Sequence, residues 1–326
     1  IGVTGTKGKT TTTHMIRAIL QAAGKKVGMI GTTGTMIGDV VTPTLNTTPE
    51  SYELHQAFSQ MVEAGCEYAV MEVSSQGIKM HRTDGLYFDY GIFTNISPDH
   101  IGPGEHADFE EYLYYKTRLL NMCRIGLVNK DDEHAEQIIK AADCELYTYS
   151  EKGKEADFSA SDIRYVSQPD FVGTEFHISG KYDMEVRLGI PGLFNVVNAL
   201  AAVSVCSFLD LDKEKISHAL EHIRVNGRME IVYTSERCTV LVDYAHNAVS
   251  MESLLSTLRD YKPKRLVCVF GCGGNRSKDR RYSMGEIGGK LADLSIITAD
   301  NSRYEKVEDI IADIRGSIEK TGGSFI

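Results

Sequence analysis

Short runs of β-branched and aromatic residues alternate along the chain with amphipathic stretches of helical period. This is the pattern of an α/β protein with a mainly parallel sheet. The apolar runs predict strands over 27–30, 68–73, 91–95, 126–129, 239–243, 266–270 and 294–298. The 3.6-residue spacing predicts helices over 9–23, 49–64, 109–122, 196–209, 250–259 and 306–320, the first stopped by Gly24. Between 151 and 188 the pattern turns to polar alternation, as in TEFHIS at 174–179 and MEVRL at 184–188, and predicts a small antiparallel insertion. A second α/β unit is expected to begin near Gly227. The chain of 326 residues thus divides into 1–225 and 226–326, a length that suits two cores better than one.

Composition narrows the class. Apolar residues make up 42% and charged residues 25%, ordinary for a globular protein, and no apolar run approaches the roughly 18 residues that span a membrane. A net charge of −10 argues against a general nucleic-acid surface and suits local basic pockets for anions. The seven cysteines are odd in number and lack short paired spacing, so neither a disulfide framework nor a zinc site is expected. Reduced packing cysteines point to the cytosol. The chain opens on Ile1 already within a strand and stops at Ile326 in what reads as mid-domain, so it is expected to be part of a longer protein.

The segment GTKGKTT at 5–11 follows an apolar strand and opens a helix. Glycines let main-chain N–H groups approach phosphates closely, and a helix N-terminus adds positive potential. Gly5, Thr6, Lys7, Gly8, Lys9, Thr10 and Thr11 therefore form a candidate phosphate loop, in which Lys9 would reach the β- and γ-phosphates and Thr10 would ligate Mg²⁺. The common pattern asks for glycine where Val3 stands. His14, one turn into the helix, reads as a packing or surface residue.

Glu72 ends the apolar run 68–73, where a carboxylate is costly unless paired or bound to metal. At the carboxyl edge of a parallel sheet it would face the crevice of the phosphate loop. His100, in the loop after the 91–95 strand, reaches the same edge.

These residues and those that follow occur in one order: GTKGKTT from Gly5, NTT from Asn46, MEVSS from Met71, NISPDH from Asn95, Lys116, NVVN from Asn195, GRME from Gly227, DYAH from Asp243 and DNSR from Asp300. Taken together they resemble the Mur ligase family over nearly the whole chain, nearest to the branch that adds the third residue of the stem peptide. MEVSSQG at 71–77 and His81-Arg82 favour that branch.

The resemblance implies a phosphate-loop central domain followed by a Rossmann-like α/β domain that ends early, with the uridine-gripping N-terminal domain absent. It implies an ATP-dependent, ADP-forming ligase of peptidoglycan synthesis. The terminal carboxylate of UDP-N-acetylmuramoyl-L-alanyl-D-glutamate is phosphorylated, and an amine displaces the phosphate through a tetrahedral intermediate. Thr10 and Glu72 would hold one Mg²⁺ and His100 a second. Lys116, otherwise an unremarked helix lysine, would be carbamylated and join the metal site, so that Lys9, Lys116 and His100 are the catalytic set. Asn195 and Asn198 would contact adenine, with Asn195 also a helix N-cap, and Arg228 and Asp243 would reach the phosphates and ribose.

The muramoyl peptide would lie on Asn46, Thr47, Thr48, Ser74 and Arg82. Asp300, Asn301 and Arg303 resemble the Asp-Asn-Pro-Arg motif of enzymes that take meso-diaminopimelate, with Arg276 as a second arginine. Ser302 replaces the proline, and the segment 96–106 resembles lysine-adding enzymes, so both amines stay open. Partners would be small molecules only, with no nucleic acid and no membrane, and the protein a monomer. A folylpolyglutamate or cyanophycin synthetase and a non-catalytic ATP-binding module are the alternatives. The string NKDD at 129–132 fits a guanine-reading pattern but would leave the landmarks from Asn195 to Arg303 unexplained.

Overall fold

The computed structural model describes residues 1–102 and 104–326. Contacts divide it into two compact units, Ile1–Arg164 with Phe171–Val225, and Tyr165–Asp170 with Asn226–Ile326. The 96–106 segment likened to lysine-adding enzymes runs through Pro103, which lies outside the described residues.

In the first unit the chain runs through β1 (Gly2–Thr4), α1 (Lys9–Ala22), β2 (Val27–Gly31), β3 (Gly34–Ile37), β4 (Val40–Thr42), α2 (Ser51–Glu63), β5 (Tyr68–Glu72), α3 (Ser75–Lys79) and β6 (Phe88–Phe93). It continues through α4 (Phe109–Thr117), β7 (Cys123–Asn129), α5 (Ala135–Ala141), β8 (Glu145–Ser150), β9 (Phe158–Gln168, whose end from Tyr165 is counted with the second unit), β10 (Phe171–Gly180), β11 (Met184–Leu188), α6 (Leu193–Cys206) and α7 (Lys213–Glu221). The strands form one 11-stranded sheet in the order β11-β10-β9-β8-β7-β6-β1-β5-β2-β3-β4. From β2 across to β9 the neighbours are parallel. Strand β2 is buried along its whole length, as a strand covered on both faces must be.

The stretch from 151 to 188 is not a separate antiparallel insertion. Strand β9 pairs in parallel with β8, Tyr149 opposite Phe158, and so extends the main sheet, while β10 and β11 add an antiparallel pair at its end. The alternation read there is real, because Phe176 and Ile178 on β10 are buried while Glu175, His177 and Ser179 beside them are more open. It reports one covered face, not a detached unit.

Four helices escaped the period analysis: α3, α5, α7 and α9 (Lys278–Leu291). The hairpin β3–β4 escaped it too. The predicted 109–122 helix ends at Thr117 and gives way to a 3₁₀ turn over Arg118–Asn121.

The second unit contains β12 (Glu230–Thr234), β13 (Thr239–Val242), α8 (Ala248–Asp260), β14 (Val267–Phe270), α9, β15 (Leu294–Ile297) and α10 (Val307–Thr321). Strands β14 and β15 are parallel, and β12 pairs antiparallel with β13. Met251, Leu255, Met284, Ile310, Ile314 and Ile318 form its core. Helices α9 and α10 pack closely because a side chain at Gly289 would come within 2.1 Å of Thr321 Oγ1. Among the described residues no helix is long and apolar enough to cross a membrane.

Candidate active site

Strand β1 lies between β5 and β6, with Val3 opposite both Glu72 and Ile92. The loops after these strands therefore meet at one carboxyl edge, where ligands collect in open α/β sheets. Val3 is fully buried within β1, so the turn expected of a glycine there falls to Gly5 and Gly8. Gly8 adopts φ 87° as the N-cap of α1 and contributes no side-chain cap. A Cβ on Gly8 would come within 2.3 Å of Asn198 Oδ1. The helix thus opens with main-chain N–H groups that no cap covers, as an anion site requires. Its start, Thr10 to Thr13, has poor intrinsic helix propensity, and burial of all four threonines supplies the packing that compensates.

The loop is braced from β6. Thr6 N donates to Asn95 O at 2.9 Å, and Lys7 N to Asn95 Oδ1 at 2.9 Å. Thr94 Oγ1 donates to Lys7 O at 2.7 Å, and Asn129 Nδ2 holds Thr94 O at 2.9 Å.

Glu72 is only 1% exposed. Thr10 Oγ1 donates to its two carboxylate oxygens at 3.0 and 3.1 Å. Thr32 adds its N–H at 2.9 Å and its hydroxyl at 3.3 Å. Among the described residues no cation pairs with Glu72, so a buried carboxylate is met by neutral donors alone. Such a group, with a hydroxyl beside it, fits a hard divalent cation that takes oxygen ligands.

Lys116, on α4, is 2% exposed and donates from Nζ to Gly5 O at 2.8 Å. Lys9 Nζ donates to the same carbonyl at 2.8 Å and to Thr6 O at 3.2 Å. Burial, and then the Lys9 charge, hold the Lys116 ammonium well below the usual lysine range, with Asp99 opposing. The Tyr112 ring lies 4.7 Å from Lys116 Nζ, and its hydroxyl meets Thr6 Oγ1 at 3.0 Å.

Among the described residues, His100 touches this group only through the Tyr112 ring, 6.2 Å away between centroids. It is exposed, adopts φ 52°, and its Nδ1 pairs with Glu105 Oε1 at 2.9 Å. No hydrogen bond or ion pair among the described residues joins it to Thr10, Glu72 or Lys116. The buried histidine of the region is His106, whose Nε2 meets Ser75 Oγ at 2.9 Å beneath Tyr112. His14 meets Thr33 Oγ1 at 3.0 Å.

The structure gathers most of the remaining residues around the same edge. Thr47 Oγ1 meets Thr32 Oγ1 at 3.1 Å, and Thr48 Oγ1 donates to Glu72 O at 3.0 Å and accepts from Ser74 N at 2.9 Å. Ser74 caps α3, and Arg82 donates to Thr48 O at 3.2 Å while pairing with Glu50 at 2.8 Å. Asn46 is half-buried beside Thr47. Asn198 Nδ2 donates to Asn195 Oδ1 at 3.1 Å, and Thr12 Oγ1 reaches Asn198 Oδ1 at 3.4 Å. Asn195 is not the N-cap expected of it. Gly192 holds that position, and Asn195 Nδ2 turns back to Pro191 O at 2.7 Å.

In the second unit the Arg228 guanidinium lies 4.7 Å from the Tyr244 ring, and Asp243 accepts from Met229 N and Ala245 N, both at 2.8 Å. The loops after β14 and β15 carry Arg276 and Asp300, Asn301 and Arg303, all exposed. Gly274 N donates to Asn301 O at 2.9 Å and ties the two loops together.

Sequence reasoning missed Thr32, Tyr112 and His106. The adjacent threonines after β2 were a signal for the first, and the aromatic one turn before Lys116 for the second.

The Mur ligase middle domain matches residues 3–206, and the Mur ligase glutamate ligase domain matches residues 227–324. The chain belongs to the Mur ligase family. Among curated Mur ligases it is 40% identical over its whole length to the UDP-N-acetylmuramoyl-L-alanyl-D-glutamate--2,6-diaminopimelate ligase of Caldanaerobacter subterraneus subsp. tengcongensis, covering 67% of that protein. It is 42% identical over 96% of its length to ligase 1 of the same name from Clostridium acetobutylicum, covering 64%. The chain thus spans about two thirds of the length of the curated relatives it matches. A solved structure of a ligase of this name superposes with TM-score 0.77 and 30% identity over 99% of the chain and 66% of its own. A folylpolyglutamate synthase from Mycobacterium tuberculosis gives TM-score 0.76 at 18% identity, over the whole chain and 80% of its own, which is a likeness of fold alone.

Proposed function

We propose that this chain carries the catalytic core of an ATP-dependent ligase joining meso-diaminopimelate, ahead of lysine, to UDP-N-acetylmuramoyl-L-alanyl-D-glutamate in the cytoplasm. The reading rests chiefly on Lys9, Lys116, Thr10 and Glu72 around the uncapped start of α1. The first unit would bind nucleotide and muramoyl peptide, and the second would select the amine.

A carboxylate has no competent leaving group. Its oxygen must first attack the terminal phosphorus of ATP, expelling ADP. The amine nitrogen then attacks the acyl carbon, phosphate leaves, and the nitrogen gives up a proton as the amide forms. The chain's task is to hold the phosphates against loop N–H groups and Lys9, and to aim the acceptor carboxylate at them. Mg²⁺, held by Thr10 and Glu72, would offset the negative charge gathered on the phosphoryl oxygens.

Lys116 is assigned a separate role. A buried amine beside Lys9 is driven toward its neutral form, which is nucleophilic. It can attack CO₂, forming a carbamate and releasing one proton. The product places a negative charge next to Lys9 where two ammonium groups would otherwise repel.

Amine choice is assigned to Arg303 and Arg276. Arg303→Ala in the full-length enzyme is expected to raise the apparent KM for meso-diaminopimelate about 30-fold, the worth of one charge-assisted contact to a carboxylate. The KM for lysine, which lacks the distal carboxylate, should change by less than about threefold. Equal rises for both amines would contradict this assignment.

A further inference from the structure

We propose that Glu305 and Arg281 are positioning residues for amine selection, clamping the two arginine-bearing loops in register; this rests on the diamino-acid reading above. Arg281, on α9, is 1% exposed, the largest fully buried side chain among the described residues. Burying a guanidinium is expensive, and an apolar residue of similar volume would often be at least as stabilising. What this one does is fix two other elements through its hydrogen bonds.

Arg281 Nη1 donates to Asp313 Oδ2 on α10 at 2.9 Å, and Nη2 donates to Glu305 Oε2 at 2.8 Å. The other oxygen of Glu305 accepts the N–H of Asn275. Asn275 Oδ1 in turn accepts the N–H of Tyr304 at 3.1 Å. One buried cation therefore anchors a carboxylate that spans from the loop after β15 to the loop after β14. The clamped residues are immediate neighbours of the candidate selectors, Asn275 of Arg276 and Tyr304 of Arg303.

Backbone strain and charge point the same way. Asn275 and Arg303 both adopt left-handed φ, 52° and 51°. For arginine this costs about 1 kcal/mol or more and persists only where surroundings enforce it. The loops touch so closely that a Cβ on Gly274 would fall 1.9 Å from Ser302 O. Glu305 is also the acid nearest in sequence to Arg303, and its pairing with Arg281 and Asn275 keeps its carboxylate from competing for the selecting arginines. Arg276 and Arg303 stay exposed and available to a ligand carboxylate.

The test uses the full-length enzyme with meso-diaminopimelate, lysine and ATP each varied in turn. Glu305→Ala should raise the KM for meso-diaminopimelate about tenfold, as a small misplacement of a binding group does, with kcat and the KM for ATP within about twofold. Glu305→Gln keeps one acceptor oxygen, which can serve the Asn275 N–H or Arg281 but not both, and should recover only part of the loss. Because Glu305 acts through Arg303 and Arg276, adding Glu305→Ala to a variant with both arginines replaced by alanine should raise that KM by less than about twofold more. Multiplying effects in that triple variant, a parallel rise for ATP, or a silent Glu305→Ala would overturn the clamp. If Arg303→Ala itself leaves the KM for meso-diaminopimelate unchanged, the reading of the amine site fails, and the clamp with it. A thermal melt of each variant shows whether a loss is one of folding, in which case Glu305→Gln decides.

Discussion

Lys116→Met is expected to lose about a thousandfold or more in turnover, roughly 4 kcal/mol of transition-state stabilisation, while folding at least as stably as the wild-type chain. The opposed effects follow from one geometry. Lys116 is buried, its ammonium shares the Gly5 carbonyl with Lys9, and burial together with that neighbouring charge lowers its proton affinity. The unfolded chain, with lysine near its ordinary value, binds more protons than the folded chain between the two values. Stability therefore rises with pH through that window, and below it the folded state bears the cost of a buried charge. Methionine removes that cost, with a gain of about 1 kcal/mol at neutral pH. In CO₂-free buffer, the wild type should gain more stability than Lys116→Met as pH rises from about 7 toward the ordinary lysine value near 10.4. Added bicarbonate should stabilise the wild type only. Lys116→Ala, which leaves room at the site, should recover part of its activity with acetate. A wild-type rate in either variant, or parallel pH–stability curves for wild type and Lys116→Met, would remove the assigned role.

Glu72→Gln should be almost as damaging to turnover, by a different route. An ionised carboxylate is acceptor-only, and this one is met by the Thr10 hydroxyl and both donors of Thr32. An amide offers a single oxygen, so its NH₂ must face one of those donors in a buried site. The expected cost is about 1–3 kcal/mol of stability. Loss of the charge should also raise the Mg²⁺ concentration for half-maximal rate more than about tenfold, with turnover down about a thousandfold at ordinary Mg²⁺. Turnover within threefold of wild type across a Mg²⁺ titration would show that Glu72 is structural only.

Much of this site was legible in the sequence because its parts lie at the ends of apolar strands. Val3 and Glu72 pair across adjacent parallel strands, so a strand reading alone puts the phosphate loop and the acid at one edge. What escaped were contacts between residues far apart in the chain. The Thr6–Tyr112 contact spans 106 positions, and the place of Tyr112 one turn before Lys116 does not name Thr6 as its partner. His106, the buried histidine of the region, was not singled out in the sequence, while His100 was and is exposed. Helix α9 was invisible for another reason. Gly285 and Gly289 allow close contact with α10 and Gly288 with β14 and β15, and buried Arg281 occupies a core position, so its apolar stripe is broken. The second unit's amine-side loops show the same limit, since DNSR names the arginine but not the buried ion pairs that hold it.

The most direct test is ATP turnover by the full-length enzyme, measured as phosphate release with UDP-N-acetylmuramoyl-L-alanyl-D-glutamate and a panel of diamino acids. Release should require the muramoyl dipeptide and an amine together, run fastest with meso-diaminopimelate, and match amide product one to one. Release with a folate in place of the muramoyl dipeptide, or no release with any pair while ATP still binds, would contradict the account.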